Sequence, residues 1–378
     1  MIHRLRVLIV VALLATWSAA CGAGRPSTGA DSNRTDLTAA IGTELDGWYG
    51  SGDTGGAVAA VGLADGSVHI VATGEAAPGV AAKNDDMMRI GSITKTFIAA
   101  LTLRLHDADV LDIDDPAADY LPDLTIDETV TIRSMLAHTS GAVDADGQLV
   151  VSLIRQDPTY RFGLADLVDM ADVPDGTSPP TQGFVYANVG YQLMGGVIEG
   201  ATGDDVVEAL RAELFEPAGL TNTFLSGAEA LPAPVVPGNV DLDGDGSEDS
   251  LVDFPTVAFD SLAWTAGALV STPTDLIQFA RALFDGSIID DESLDQMLDT
   301  TGAGQTVGAG LGIFDINLDG ATVYGNSGGG PGFHANLAHD PAMDTTAVIF
   351  TNCPSCAAGG TDTWPLLVNL LALADQGS

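Results

Sequence analysis

The stretch Arg89-Ile90-Gly91-Ser92-Ile93-Thr94-Lys95-Thr96-Phe97 decides the reading of this chain. Only two of its 378 residues are lysine, Lys83 and Lys95, against eleven arginines. Arginine holds its proton at any working pH, whereas a lysine amine can shed it when desolvated. A lysine kept where nearly all others are absent, three positions after a serine, points to chemistry rather than surface charge. The run from Thr96 to Leu111 is apolar at helical spacing. Ser92 therefore falls at or near a helix N-terminus, where the peptide dipoles favour an oxygen gaining negative charge. Residues three apart on a helix share a face, with Cβ atoms roughly 5–6 Å apart. Ser92 is thereby a candidate nucleophile and Lys95 its activator. Read alone, the pair equally describes a capping serine followed by an exposed lysine.

Outward from this stretch, residues 57–73 predict two strands around an Ala64-Asp65-Gly66 turn. Helices are expected over Ile132 to Ala137, Tyr191 to Ala201 and Asp204 to Phe215, the last closed by Pro217-Ala218-Gly219. A small-residue turn begins at Trp264, and Pro273-Thr274-Asp275 then opens a helix through Leu283. Strands are expected at 320–324, 333–339 and 345–351, and a closing helix over Pro365 to Ala374. No internal repeat is visible. The order predicts one domain over 38–378, its sheet built from both ends of the chain, with a helical lobe inserted at approximately 92–225.

The composition suits a packed body rather than a disordered one, with 46% apolar residues and a mean hydropathy of +0.24. Fifty-two acids against 13 bases give a formal charge of −39, which repels nucleic acid and anionic membranes. Neither is expected as a partner. Residues 1–20 read as an export signal: Arg4 and Arg6, an apolar run from Val7 to Leu14, then Ser18-Ala19-Ala20-Cys21. The apolar run is too short to span a bilayer. Cysteine directly after Ala-Ala looks like a bacterial lipoprotein signal, with Cys21 lipidated at the outer face of the cytoplasmic membrane. Ser18 stands where that motif usually carries an aliphatic residue, and plain secretion after cleavage near Ala20 is the other reading. Residues 21–37 are small and polar, as in a flexible tether.

Three further segments bear on Ser92 and Lys95: Leu136-Ala137-His138-Thr139-Ser140-Gly141, Tyr186-Ala187-Asn188 after a Pro-rich turn at Ser178-Pro179-Pro180, and Asn326-Ser327-Gly328-Gly329-Gly330-Pro331-Gly332-Phe333. In this order they resemble the serine β-lactamase and D,D-peptidase superfamily, nearest its class C β-lactamase, D-alanyl-D-alanine carboxypeptidase and esterase branch. The likeness covers about residues 40 to 375 and includes Trp264 to Leu276. It implies an α+β fold, an α/β/α sandwich whose antiparallel sheet is flanked by helices. It also implies an exported serine hydrolase forming an acyl-enzyme on Ser92 without a catalytic cofactor. Peptidoglycan peptides, β-lactams and esters are the substrates it suggests; a penicillin-binding protein without turnover is the alternative.

In that likeness Lys95 activates Ser92, Tyr186 moves the proton, and Asn188 holds Lys95 and binds a substrate carbonyl. Backbone N–H groups of Ser92 and Gly329 form the oxyanion hole on the Asn326-Ser327-Gly328-Gly329 motif, and His138 packs behind the site. One departure matters: the third motif normally starts with Lys or His, and here it starts with Asn326. A cation there helps hold a substrate carboxylate, and charge-assisted bonds are roughly twice as strong as neutral ones. A neutral ester or amide fits Asn326 at least as well, and no arginine follows Arg281.

Other patterns stand beside these in the sequence. Gly325 to Gly329 matches Gly-x-Ser-x-Gly, but that elbow needs a helix after it and glycine and proline follow. Asp241, Asp243, Asp245 and Asp249 with Gly246 resemble a calcium loop lacking its bidentate Glu, or else an acidic surface turn. Cys353-Pro354-Ser355-Cys356 predicts a local disulfide in an oxidising compartment, since a zinc site would need two more ligands. His334 and His339, at odd spacing on a strand, should face opposite ways, with His334 nearer the site.

Overall fold

A computed structural model describes residues 37–50, 54–177, 182–241, 245–318, 321–360 and 362–377. The expected export signal, Cys21, nearly all of the expected tether, the turn predicted at Ser178 and Asp243 lie outside them. Among the described residues, no helix is long and apolar enough to cross a membrane.

The chain enters through α1 (Leu37–Tyr49), β1 (Gly56–Gly62), β2 (Val68–Ala77), β3 (Val80–Ala81) and β4 (Met88–Arg89). A 3₁₀ turn (Gly91–Ile93) leads into α2 (Thr94–Asp107). The helical lobe follows with α3 (Ile132–Leu136), α4 (Gly147–Gln156), α5 (Leu164–Met170), α6 (Asn188–Thr202) and α7 (Val206–Leu210). Next come β5 (Phe224–Leu225), β6 (Asn239–Val240), β7 (Asp249–Ser250), α8 (Val257–Gly267), β8 (Leu269–Ser271), α9 (Pro273–Phe284) and α10 (Asp291–Leu298). The chain closes with β9 (Phe314–Leu318), β10 (Ala321–Gly330), β11 (Phe333–Asp340), β12 (Thr345–Thr351) and α11 (Trp364–Gly377).

Seven strands form an antiparallel sheet in the order β3-β2-β1-β12-β11-β10-β9, so N-terminal and C-terminal strands meet where β1 pairs with β12. Strand β1 is buried throughout. Its side chains alternate: Val58 and Ala60 join the core shared with α2 and α9, while Ala57, Ala59 and Val61 join the core shared with α1 and α11. That period of two makes the sheet the middle layer of a sandwich. Residues 94–103 of α2 are buried all round, the mark of a helix enclosed on every side. The first turn of this enclosed helix carries Lys95.

Three expectations are corrected. Helix α6 begins at Asn188, not Tyr191, because Asp144 caps it from another segment: its Oδ1 accepts from Val189 N at 2.9 Å. The segment from Trp264 is not a turn; it ends α8 and forms β8, which pairs with β4 and β5. The Asn326 motif lies within β10 rather than between strands, since Asn326 to Gly330 keep register with β11. Helices α1, α4, α5 and α10 and strands β3 to β9 were not expected. Of these, α4 has no buried residue and so carried a weak core signal.

His334 and His339 do face opposite ways: His334 Nδ1 meets Thr363 Oγ1 beside α11, and His339 stacks on Phe284 of α9. Cys353 and Cys356 are joined in a disulfide. Phe97 is fully buried in α2, its ring stacked on Phe279 and edge-on to Phe215. Phe97→Ala is therefore expected to lower unfolding stability by about 3–5 kcal/mol in urea titration. A loss under about 1 kcal/mol would show that α2 is not the packing centre.

Candidate active site

Two glycines bring the parts together. Gly91 has φ +51°, and a Cβ there would lie 2.7 Å from Gly329 N. A Cβ on Gly328 would lie 1.8 Å from Ile90 O and 2.6 Å from Ser92 N. Only glycine lets the β10 backbone press against the turn that holds Ser92. Strand β9 pairs with β10 no further than Gly325, so Gly328 and Gly329 lie on a sheet edge beside Ser92. Asn326 locks this contact. Its Nδ2 donates to Ser92 O (3.3 Å), Thr96 Oγ1 (3.1 Å) and Gly312 O (3.1 Å), and its Oδ1 accepts from Ser327 N (2.8 Å). The expectation that Asn326 faces substrate is corrected: it is buried, with its donors taken by the protein. Ser327 is half-buried on the opposite side of the strand, in register with Asn336.

Lys95 is 1% exposed, and its ammonium has three donors. All three are matched: Nζ lies 3.0 Å from Ser92 Oγ, 2.8 Å from Asn188 Oδ1 and 2.7 Å from Ala266 O. Tyr186 and Tyr191 place their rings 5.0 and 5.6 Å from Nζ, within range of a favourable cation–π attraction. Tyr186 also donates its hydroxyl to Ser92 Oγ at 2.7 Å. Two polar hydrogens thus converge on the serine oxygen. Ala266 O is delivered by the end of α8, where Trp264 (φ 34°, ψ −126°) breaks the helix and Gly195 leaves room for the indole.

Asn188 opens α6. Its Nδ2 donates to Asp144 Oδ2 at 2.7 Å. A carboxylate only accepts, so the amide must turn its oxygen toward Lys95. Sequence reading missed Asp144 and Ala266. A carboxylate six residues after His138, on a loop, has no periodicity to flag it, and a backbone carbonyl has no sequence signature.

His138 sits behind Tyr186, ring centroids 4.4 Å apart, and accepts from Ala187 N through Nδ1. Burial, reinforced by the charge of Lys95, pushes its imidazole down to about 3. It is neutral at working pH, a packing support as expected. Burial likewise pushes Tyr191 well up, and its hydroxyl donates to Leu136 O.

The remaining candidates stand apart. The Gly-x-Ser-x-Gly match lies within a strand and is followed by a turn and β11. Asp241 accepts from Gly246 N, Asp245 from Ser247, and Asp249 lies in β7; Asp243 is outside the described residues. Among the described residues no three His, Cys, Asp or Glu side chains come together as metal ligands. Arg89 pairs with buried Asp260.

The β-lactamase family model matches residues 38–371. The chain belongs to the β-lactamase family. Its members include esterases, D-aminopeptidases and amidohydrolases, which are serine hydrolases. The chain is 30% identical over 341 residues to penicillin-binding protein 4 of Amycolatopsis lactamdurans, covering 84% of this chain and 86% of that one. It is 26% identical to the penicillin-binding-protein-like PbpX of Bacillus subtilis, covering 72% of this chain but only 63% of that relative's length. Among solved structures, a D-stereospecific amidohydrolase from Streptomyces superposes with a TM-score of 0.74 at 26% identity, over 87% of this chain and 97% of that one.

Gly328→Ala is expected to leave secondary structure intact by circular dichroism yet separate β10 from the Ser92 turn, abolishing any reaction at Ser92. An active Gly328→Ala would show that the close approach is dispensable. The histidines set an acid limit. His138 at about 3 and His339 at about 4 both lie below the ordinary value of 6.5. Groups with depressed histidine values bind protons better in the unfolded chain, so their stabilisation is full above about pH 6.5 and lost as pH falls toward 4. Urea midpoints should decline over that window, and His138→Phe should flatten the decline; an unchanged slope would contradict neutral burial.

Proposed function

We propose that the chain is a serine hydrolase that cleaves esters or amides through an acyl-enzyme on Ser92. The observation that carries this reading is the convergence of Lys95 Nζ and Tyr186 OH on Ser92 Oγ, at 3.0 and 2.7 Å. Ser92 Oγ attacks the acyl carbon while its proton passes to the Tyr186–Lys95 pair, which enters the step one proton short of phenol plus ammonium and reaches that state on taking it. The carbonyl oxygen takes the electron pair and is met by the backbone N–H groups of Ser92 and Gly329. Such preorganised donors are commonly worth about 2.7–4 kcal/mol. Collapse returns the proton to the leaving oxygen or nitrogen, and water then repeats the sequence to release the acid. Asn188 holds Lys95 through its oxygen and offers its second amide hydrogen to the substrate carbonyl. No step calls for a metal or organic cofactor.

The substrate reading rests on charge. Asn326 is neutral and its donors are taken, Arg89 is neutralised by Asp260, and the chain as a whole carries −39. These features favour acyl compounds without a free carboxylate beside the scissile bond. The likeness to a D-stereospecific amidohydrolase supports amides among them. The penicillin-binding relatives favour a second reading, cleavage of D-alanyl peptides or β-lactams. Export, with lipid on Cys21, belongs to the proposal too and follows from the N-terminal sequence.

A fluorophosphonate should label the wild-type protein on Ser92, and Ser92→Ala should remove the label. Lys95→Arg keeps the charge but should slow acylation by about 10²-fold or more. Labelling that persists in Ser92→Ala would end the acyl-enzyme reading. In a panel of p-nitrophenyl acetate, D-phenylalanine amide, nitrocefin and a D-Ala-D-Ala tripeptide, the first two should turn over fastest. Preference for the last two would transfer the case to the second reading.

A further inference from the structure

We propose that Asp144 is a positioning residue for the acylation step, acting on Lys95 through Asn188; the proposal rests on the acyl-enzyme reading above. Three observations carry it. Asp144 spans two groups at once, taking Asn188 Nδ2 on Oδ2 at 2.7 Å and Val189 N on Oδ1 at 2.9 Å. Ala187, at the cap position of α6, offers no side-chain acceptor, and the end of the helix is satisfied by Asp144 instead. The loop carrying Asp144 is itself pinned, because Val143 and Asp172 exchange both backbone hydrogen bonds, at 2.8 and 2.9 Å.

The consequence for the site is geometric and electrostatic. An amide can face Lys95 with its oxygen or with its nitrogen, and only the first accepts from Nζ. Asp144 admits one orientation, because a carboxylate opposite the amide oxygen would set two acceptors against each other. Lys95 has no carboxylate partner among the ion pairs of the described residues. An enclosed cation without a counter-charge is costly. Asp144 supplies that counter-charge one amide away, and the chain Asp144–Asn188–Lys95 polarises each hydrogen bond in it. The positive end of α6 in turn favours the carboxylate. One side chain thereby starts the helix, fixes the amide and balances the amine beside Ser92. Asp144 touches neither Ser92 nor the bond to be broken, so its effect on rate must pass through Asn188.

The test is a double-mutant cycle on the fluorophosphonate acylation rate and on kcat and KM for p-nitrophenyl acetate, using the full chain. Asp144→Asn keeps an oxygen for Val189 N–H, so the helix keeps a cap; Asp144→Glu keeps the charge and serves if the first variant does not fold. Asp144→Asn is expected to slow acylation about tenfold or more, with KM within about twofold of wild type. Asp144→Glu should retain more of the rate than Asp144→Asn. In an Asn188→Ala background the Asp144→Asn change should cost less than about twofold, since the residue it acts through is gone. Wild-type acylation in Asp144→Asn, or a loss that adds in full to that of Asn188→Ala, would overturn the role. Absence of Ser92 labelling in the wild-type protein would instead overturn the acyl-enzyme reading on which the role depends.

Discussion

A lysine amine enclosed by protein is the constraint to which the rest of this structure answers. Taking Lys95 out of water is expensive unless every hydrogen on its nitrogen finds an acceptor. Three segments supply one each: the Ser92 turn, the head of α6, and the end of α8 at Ala266. These come from the start of the inserted lobe, its middle and the stretch after it. The amine thus ties the lobe to the segment that follows it, and its requirements explain several otherwise odd local features. The break at Trp264 aims a carbonyl, and α6 starts at an asparagine whose cap lies 44 residues earlier at Asp144.

The sheet answers a second constraint, backbone approach. The backbone of β10 lies against the Ser92 turn closer than any side chain permits, as the proposed oxyanion site of two N–H groups requires. Gly91 and Gly328 meet that need, and Asn326 fastens it with hydrogen bonds across the contact. The same asparagine is uncharged, and its hydrogen bonds run into the protein rather than outward.

Much of this was legible in the sequence, for identifiable reasons. Ser92, Lys95, Tyr186 and Asn188 are side-chain chemistry at recognisable spacing, and the strands at both ends of the chain have clear apolar patterns. The illegible parts are of other kinds. Ala266 acts through its carbonyl, which every residue possesses. Asp144 is one of 52 acids in an acidic chain, so nothing about its type sets it apart. That Asn326 is uncharged is plain from the sequence, but that its donors point into the protein is a fact of packing. The glycines from 328 onward looked like a loop because glycine is rare within strands. They are in a strand because another backbone lies against them.

The sequence itself offers a direct probe of the central claim, since it holds only two lysines, Lys83 and Lys95. Protein grown on lysine labelled with ¹⁵N at the side-chain nitrogen should give two amine signals. The account predicts that one exchanges slowly with water and moves on Asn188→Ala and on fluorophosphonate modification, while the other responds to neither. Two fast-exchanging signals, both indifferent to changes at Asn188 and Ser92, would place Lys95 in solvent and contradict it.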